Sequence, residues 1–126
     1  MNVVDSSGWL EFFADGPNAG HFAEPLADAG QLLVPTVTLY EVFKTVLRQR
    51  DETAALQAIA LMRQGQLLDL SEELALAAAK LGSETGLPMA DSIILASARS
   101  NQATLWTQDE HFRGMEGVRY FGKVMK

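Results

Sequence analysis

Very short apolar runs, each closed by an acid, a proline or a turn and followed by a helix-periodic stretch, limit what this chain can build. The runs are Val3-Val4, Leu32-Leu33-Val34, Leu67-Leu68-Asp69-Leu70, Ala103-Thr104-Leu105-Trp106 and Val118-Arg119-Tyr120-Phe121. Alternating with helices, they predict an α/β fold: a twisted parallel sheet of about 4–5 strands with helices on both faces, in three layers.

The stretches between the runs carry helical signals. Trp9, Phe12 and Phe13 share one face of a short helix that Ser6 or Ser7 can cap. Asp15-Gly16-Pro17-Asn18 is a turn, and a second helix over about 18–28 meets Pro25, which predicts a kink or an early stop. From Thr36, Leu39, Val42, Phe43, Val46 and Leu47 form one stripe. Residues 53–63 predict a helix with Leu56, Ile59 and Ala60 inward. Ser71-Glu72-Glu73 opens another, with Leu74, Ala77, Ala78 and Leu81 in register. The stretch from 89 to 100 is apolar nearly all round, as a buried helix is. Trp106 and the Trp9, Phe12 and Phe13 cluster read as core, and the cluster's alternative is a groove for a partner helix.

With 126 residues, the chain is long enough for one core and too short for two, so residues 1–126 are read as one domain. No apolar run could span a bilayer, and Asp5 interrupts the amino-terminal run before it could serve as a signal peptide. There is no cysteine, hence no disulfide, thiolate metal site or cysteine nucleophile, which fits a cytoplasmic protein. The net charge of −6 argues against wrapping a long duplex. It is compatible with a local contact to a short stretch of nucleic acid, the more so if some acids hold cations.

Four acids stand where elements begin or end. Asp5 closes the first strand, and Asp109 follows the fourth. Glu41 lies about one turn into the helix after Leu32–Val34, and Asp91 sits in the first turn of the buried helix. In an open parallel sheet, ligands bind outside the carboxyl ends of the strands, so the pattern places all four on one rim. Each has a plain structural reading too, because acids favour helix amino ends, and Thr38-Leu39-Tyr40-Glu41 matches a capping box. Capping does not explain four acids at the same rim. Asp91 shares the core-facing stripe of Ile94, Leu95 and Ala98, where an unpaired carboxylate is costly. Glu41 lies opposite its helix's apolar stripe, near Lys44, Thr45 and Arg48, and pairs with Lys44 on the structural reading. A carboxylate cluster suits Mg²⁺ or Mn²⁺, both of which prefer oxygen ligands. His111, beside Phe112, and His21 read as structural.

Val3-Val4-Asp5-Ser6-Ser7, Glu41 in Thr38-Leu39-Tyr40-Glu41-Val42, Gly86-Leu87-Pro88-Met89-Ala90-Asp91-Ser92 and Leu105-Trp106-Thr107-Gln108-Asp109-Glu110-His111-Phe112 together resemble the PIN-domain ribonucleases. The likeness is greatest to the VapC-type toxins of VapBC toxin–antitoxin pairs, and it covers essentially the whole chain. It implies a single PIN domain, RNA cleavage and one or two Mg²⁺ or Mn²⁺ ions held by Asp5, Glu41, Asp91 and Asp109. Glu41 is a ligand or the base that takes a proton from water. Ser6 and Thr107 would orient a carboxylate or bond a phosphate oxygen; Lys44 and Arg48 would meet RNA phosphates. The resemblance also implies a VapB-like antitoxin, which lays a helix over apolar grooves, and a homodimer.

Two alternatives differ in class. One is a Mg²⁺-dependent phosphatase or phosphoaccepting receiver, against which stand the serine at position 7 and the lack of a paired acid after the first strand. The other is a catalytically inactive PIN-like module that binds RNA or protein, against which stands the presence of all four acids.

Overall fold

Strand β1 spans Asn2–Val4, β2 Leu32–Pro35, β3 Gln66–Leu68, β4 Thr104–Thr107 and β5 Val118–Tyr120. The helices are α1 (Ser6–Phe13), α2 (Ala19–Leu26), α3 (Thr36–Gln49), α4 (Glu52–Met62), α5 (Glu72–Thr85) and α6 (Met89–Ser100), with 3-10 turns at Ala29–Gln31 and Glu110–Phe112. This is a computed structural model; it describes residues 1–124, so the last two positions of the expected domain lie outside the described residues. Every strand pairing is parallel, and the sheet order is β3-β2-β1-β4-β5. The expected α/β architecture is the one observed.

The side-chain alternation of a strand splits the core in two. Val3, Leu33 and Leu105 face one way and pack on Ile94, Leu95 and Ala98 of α6. Val4, Leu32, Val34 and Trp106 face the other way, onto Trp9, Phe22, Val42, Ala58 and Met62. Leu74 and Ala78 of α5 then cover the outer side of α6 at Ile93 and Ala96. Phe22 is wholly buried, and burial of a side chain of that size contributes roughly 1.5–3 kcal/mol.

Several local expectations need correction. Asp5, not Ser6 or Ser7, caps α1: its carboxylate accepts from the Gly8 backbone N–H. Thr38 and Glu41 form no capping box. Pro35 occupies the cap position of α3, and the Thr38 hydroxyl donates to the Pro35 carbonyl at 2.6 Å. That leaves the Glu41 side chain free for another partner. In α4 the buried residues are Ala55, Ala58 and Met62, while Leu56 is 54% exposed. Of the residues expected inward, Ile59 packs against the core, while Leu56 and Ala60 are exposed. The third strand stops at Leu68, and Leu70 is exposed, as suits the end of an edge strand. Pro25 sits in the last turn of α2, which ends one residue later.

Candidate active site

The chain runs from β1 outward to β2 and β3, then returns to place β4 on the other side of β1. The strand order therefore reverses between β1 and β4, and the crevice at their carboxyl ends is where such sheets bind ligands. Asp5 ends β1 and Asp109 follows β4. Helix α6 leads by a short turn into the amino end of β4, so its own amino end, with Asp91, returns to the carboxyl rim.

Asp5 is buried, with 2% of its surface exposed. Its Oδ1 accepts from the Ser7 hydroxyl at 2.8 Å and from the Gly8 N–H at 2.9 Å, and its Oδ2 accepts from the Thr107 hydroxyl at 2.7 Å. Close packing holds α1 here. A Cβ on Gly8 would stand 2.6 Å from Val4 Cγ1 and 2.9 Å from the Phe22 ring, so only glycine lets the capping amide come this near the strand. Burial pushes the Asp5 carboxyl up to about 7, against the pull of the Thr107, Ser7 and Gly8 hydrogen bonds, and Asp109 raises it further. A carboxyl in this state lacks a positive partner.

Thr107 joins the two strands' acids. While its hydroxyl donates to Asp5, it accepts from the Asp109 N–H at 2.9 Å. Asp109 in turn caps the 3-10 turn, accepting from the His111 N–H at 2.9 Å, and the buried Phe112 anchors that turn in the core. The turn brings the His111 ring back over the acids, with Nδ1 at 2.9 Å from Asp91 Oδ2 and 3.5 Å from Asp109 Oδ1. The Asp91 side chain is only 14% exposed. Burial raises its pKa, while the His111 hydrogen bond lowers it in part. That same bond, with the charges of Asp109 and Asp91, raises the pKa of His111.

On α3, Glu41 accepts from the Ser6 hydroxyl, one residue from Asp5, at 2.5 Å; the acids that lie close enough to share one ion are Asp91 and Asp109, with His111. Asp5 and Asp109 are thus linked through Thr107, Asp109 and Asp91 through His111, and Glu41 to the residue next to Asp5. Lys44 does not pair with Glu41. Its ammonium lies 5.6 Å from the centre of the Tyr40 ring, on an apolar shelf with Leu39, Phe43, Leu47 and Ile59. Arg48 is exposed on the same helix.

His111 has a place that its sequence context does not reveal, since its link to Asp91 joins elements 20 residues apart. The spacing Asp109-Glu110-His111 is the one available signal: a 3-10 turn capped by the first residue folds the third back toward it. Trp106 and Trp9 lie in the core, as their sequence context predicts.

The residues fit a divalent cation. Asp91, Asp109 and His111 each offer a ligand atom, all within 4.8 Å of one another. Among the described residues, no lysine or arginine forms an ion pair with any of the four acids; His111 is the basic side chain set against Asp91 and Asp109.

The PIN domain family model matches residues 3–118, and the chain belongs to that family, whose members are generally nucleases. Solved structures share the fold. A toxin–antitoxin complex from Klebsiella pneumoniae aligns with a TM-score of 0.82 at 23% identity, covering 98% of this chain and 100% of that one. VapC20 of Mycobacterium tuberculosis, a toxin that cleaves the sarcin–ricin loop, aligns with a TM-score of 0.71 at 16% identity, covering 90% and 92%. The DNA-bound VapBC of Salmonella typhimurium gives 0.73 at 14%, covering 97% and 98%. No curated protein matches the sequence at a significant level. Among the described residues, no helix is long and apolar enough to cross a membrane.

The Ser6 bond to Glu41 yields a direct test. Ser6→Ala leaves Glu41 without its donor and is expected to lower nuclease kcat/KM about tenfold, the lower end for losing a partner that orients an active-site side chain. Thermal stability should change by less than about 0.5 kcal/mol, because the site is partly open. A denaturation curve alongside the kinetics separates the two effects.

Proposed function

We propose that this chain, acting as one PIN unit over residues 1–126, is a metal-dependent endoribonuclease and the toxin half of a type II toxin–antitoxin pair. The observation that carries the reading is the linkage of Asp5 to Asp109 through Thr107, and of Asp109 to Asp91 through His111, at the strand-order reversal, with Glu41 held by Ser6 beside Asp5 and, among the described residues, no lysine or arginine paired to them. Asp5, Asp91 and Asp109, with Glu41, would hold Mg²⁺ or Mn²⁺. Such an ion lowers the pKa of bound water and neutralises phosphate charge. The chain's own residues supply the rest. Thr107 and Ser7 hold both Asp5 oxygens in place, and Ser6 holds Glu41, which would serve as a ligand or as the base that takes a proton from water. Hydrolysis at phosphorus needs water positioned in line with the leaving oxygen, so rigid carboxylates serve the reaction better than mobile ones.

RNA as the substrate is supported by the similarity to VapC20, a toxin that cleaves the sarcin–ricin loop. A VapB-like antitoxin is supported by the toxin–antitoxin complexes among the structural neighbours. It is supported also by the apolar cleft of about 240 Å³ lined by Trp9, Phe12, Leu26 and Leu61, which suits the apolar face of a helix. The shelf of Leu39, Tyr40, Phe43 and Leu47 is a candidate surface for a homodimer. Lys44 and Arg48 remain candidate phosphate contacts. We place the protein in the cytoplasm, where RNA is found.

The phosphatase reading loses further ground because Ser7, standing where a second acid would serve it, spends its hydroxyl on Asp5. The test is cleavage of structured RNA with Mg²⁺ or Mn²⁺, with and without chelator, by the wild type and by Asp91→Asn. Loss of at least about a hundredfold in the variant is expected, since metal stabilisation of the transition state amounts to several kcal/mol. Equal cleavage by both, or cleavage indifferent to chelator, would remove the mechanism. Failure to bind Mn²⁺ in a calorimetric titration would instead favour a binding module.

A further inference from the structure

The geometry points to His111 as a direct nitrogen ligand of the cation, making this a mixed nitrogen–oxygen site rather than an all-carboxylate one. The inference rests on the reading of the acids as a cation centre and adds a residue to it. His111 Nδ1 stands 2.9 Å from Asp91 Oδ2 and 3.5 Å from Asp109 Oδ1. Neighbouring ligand atoms on an octahedron with bonds of about 2.1 Å are about 3 Å apart, and opposite ones about 4.2 Å. The three candidate atoms lie within 4.8 Å of one another, so a small inward movement of side chains would bring them onto one ion.

The backbone also favours this role. Asp109 caps its 3-10 turn through the His111 N–H, and Phe112 is fully buried, so the imidazole is held over the acids by a fixed turn. The ring itself is 58% exposed. The capped turn and the Asp91 contact set its orientation. The one competing account is that it only donates to Asp91 and steadies it.

The consequence is metal preference. Imidazole is a good ligand for Ni²⁺ and its transition-metal neighbours, whereas Mg²⁺ binds oxygen. The wild type is therefore expected to bind Ni²⁺ more tightly than Mg²⁺ by a margin that depends on His111.

Calorimetry with each metal alone, on the wild type, His111→Ala and His111→Gln, provides the affinities, and pulsed electron paramagnetic resonance of the Mn²⁺-loaded proteins reports directly on bound nitrogen. Both variants should lose the nitrogen coupling. Both should weaken Ni²⁺ binding at least about tenfold while changing Mg²⁺ binding by less than about threefold. His21, the other histidine, is stacked on Phe121 at 4.4 Å and should leave any nitrogen signal unchanged on substitution. Three outcomes would overturn the proposal: no nitrogen coupling in the wild type, equal losses for the two metals in His111→Ala, or full rescue by His111→Gln, whose amide can still donate to Asp91. Metal binding with oxygen ligands only would remove His111 but leave the cation centre standing. No binding of any of the metals would remove both.

Discussion

Asp5→Asn is expected to abolish RNA cleavage while making the metal-free protein more stable at neutral pH. On the proposed reading, the activity loss follows from taking an anionic ligand out of the centre. Metal stabilisation of several kcal/mol, at 1.36 kcal/mol per factor of ten, translates into a drop of about a thousandfold. The stability gain follows from the titration of Asp5, whose carboxyl is held at about 7 in the fold against 3.8 when exposed. Below about pH 4 the group is protonated in both states and changes nothing. Between pH 4 and 7 the unfolded chain releases the proton and the folded chain keeps it, so stability falls as pH rises, by up to about 4 kcal/mol. Above pH 7 the penalty stays constant. Asn is neutral at every pH, keeps an oxygen for Ser7 and the Gly8 N–H, and can donate its amide to Thr107. Denaturant unfolding of chelator-treated protein at pH 4 and pH 8 checks this: the wild type should lose stability across the interval, and the variant should lose much less. A variant less stable than the wild type at pH 8 would make Asp5 a structural cap rather than a ligand held at a cost.

Thr107→Val carries the second large effect. The hydroxyl is fully buried, donates to Asp5 at 2.7 Å and accepts from the Asp109 N–H at 2.9 Å. Valine matches its shape and removes both bonds. Leaving buried polar groups unpaired costs about 1–3 kcal/mol, and cleavage should fall about 10–100-fold as both acids lose their common orientation. Thr107→Ser keeps the hydroxyl and should retain most of the activity. Equal activity in the Val and Ser variants would mean that this hydroxyl does not organise the acids.

The alternation of strands and helices was legible because it depends on local pattern, and the same pattern sets Asp5 and Asp109 just after β1 and β4. A strand of three residues followed at once by an acid leaves that acid nowhere to go except the carboxyl rim. What was not legible depends on contacts between elements. Leu56 looked inward in α4 because it is large and apolar, yet close packing selected Ala55 and Ala58 and turned Leu56 to the surface. The capping box at Thr38–Glu41 failed because the Thr38 hydroxyl found the Pro35 carbonyl and Glu41 found Ser6, 35 positions away. His111 read as a structural neighbour of Phe112 because nothing near it in sequence announces Asp91. A charge of −6 argues against wrapping a long duplex and is compatible with a local contact if some of the acids hold cations.

Anomalous scattering from a crystal soaked in Mn²⁺ tests the cation centre most directly. A single strong peak, or two, is expected within bonding distance of Asp5, Asp91 or Asp109 carboxylate oxygens, at the crevice between the carboxyl ends of β1 and β4. Saturating Mn²⁺ that leaves that crevice without a peak, or places its peaks elsewhere on the surface, would contradict the assignment of these acids as ligands.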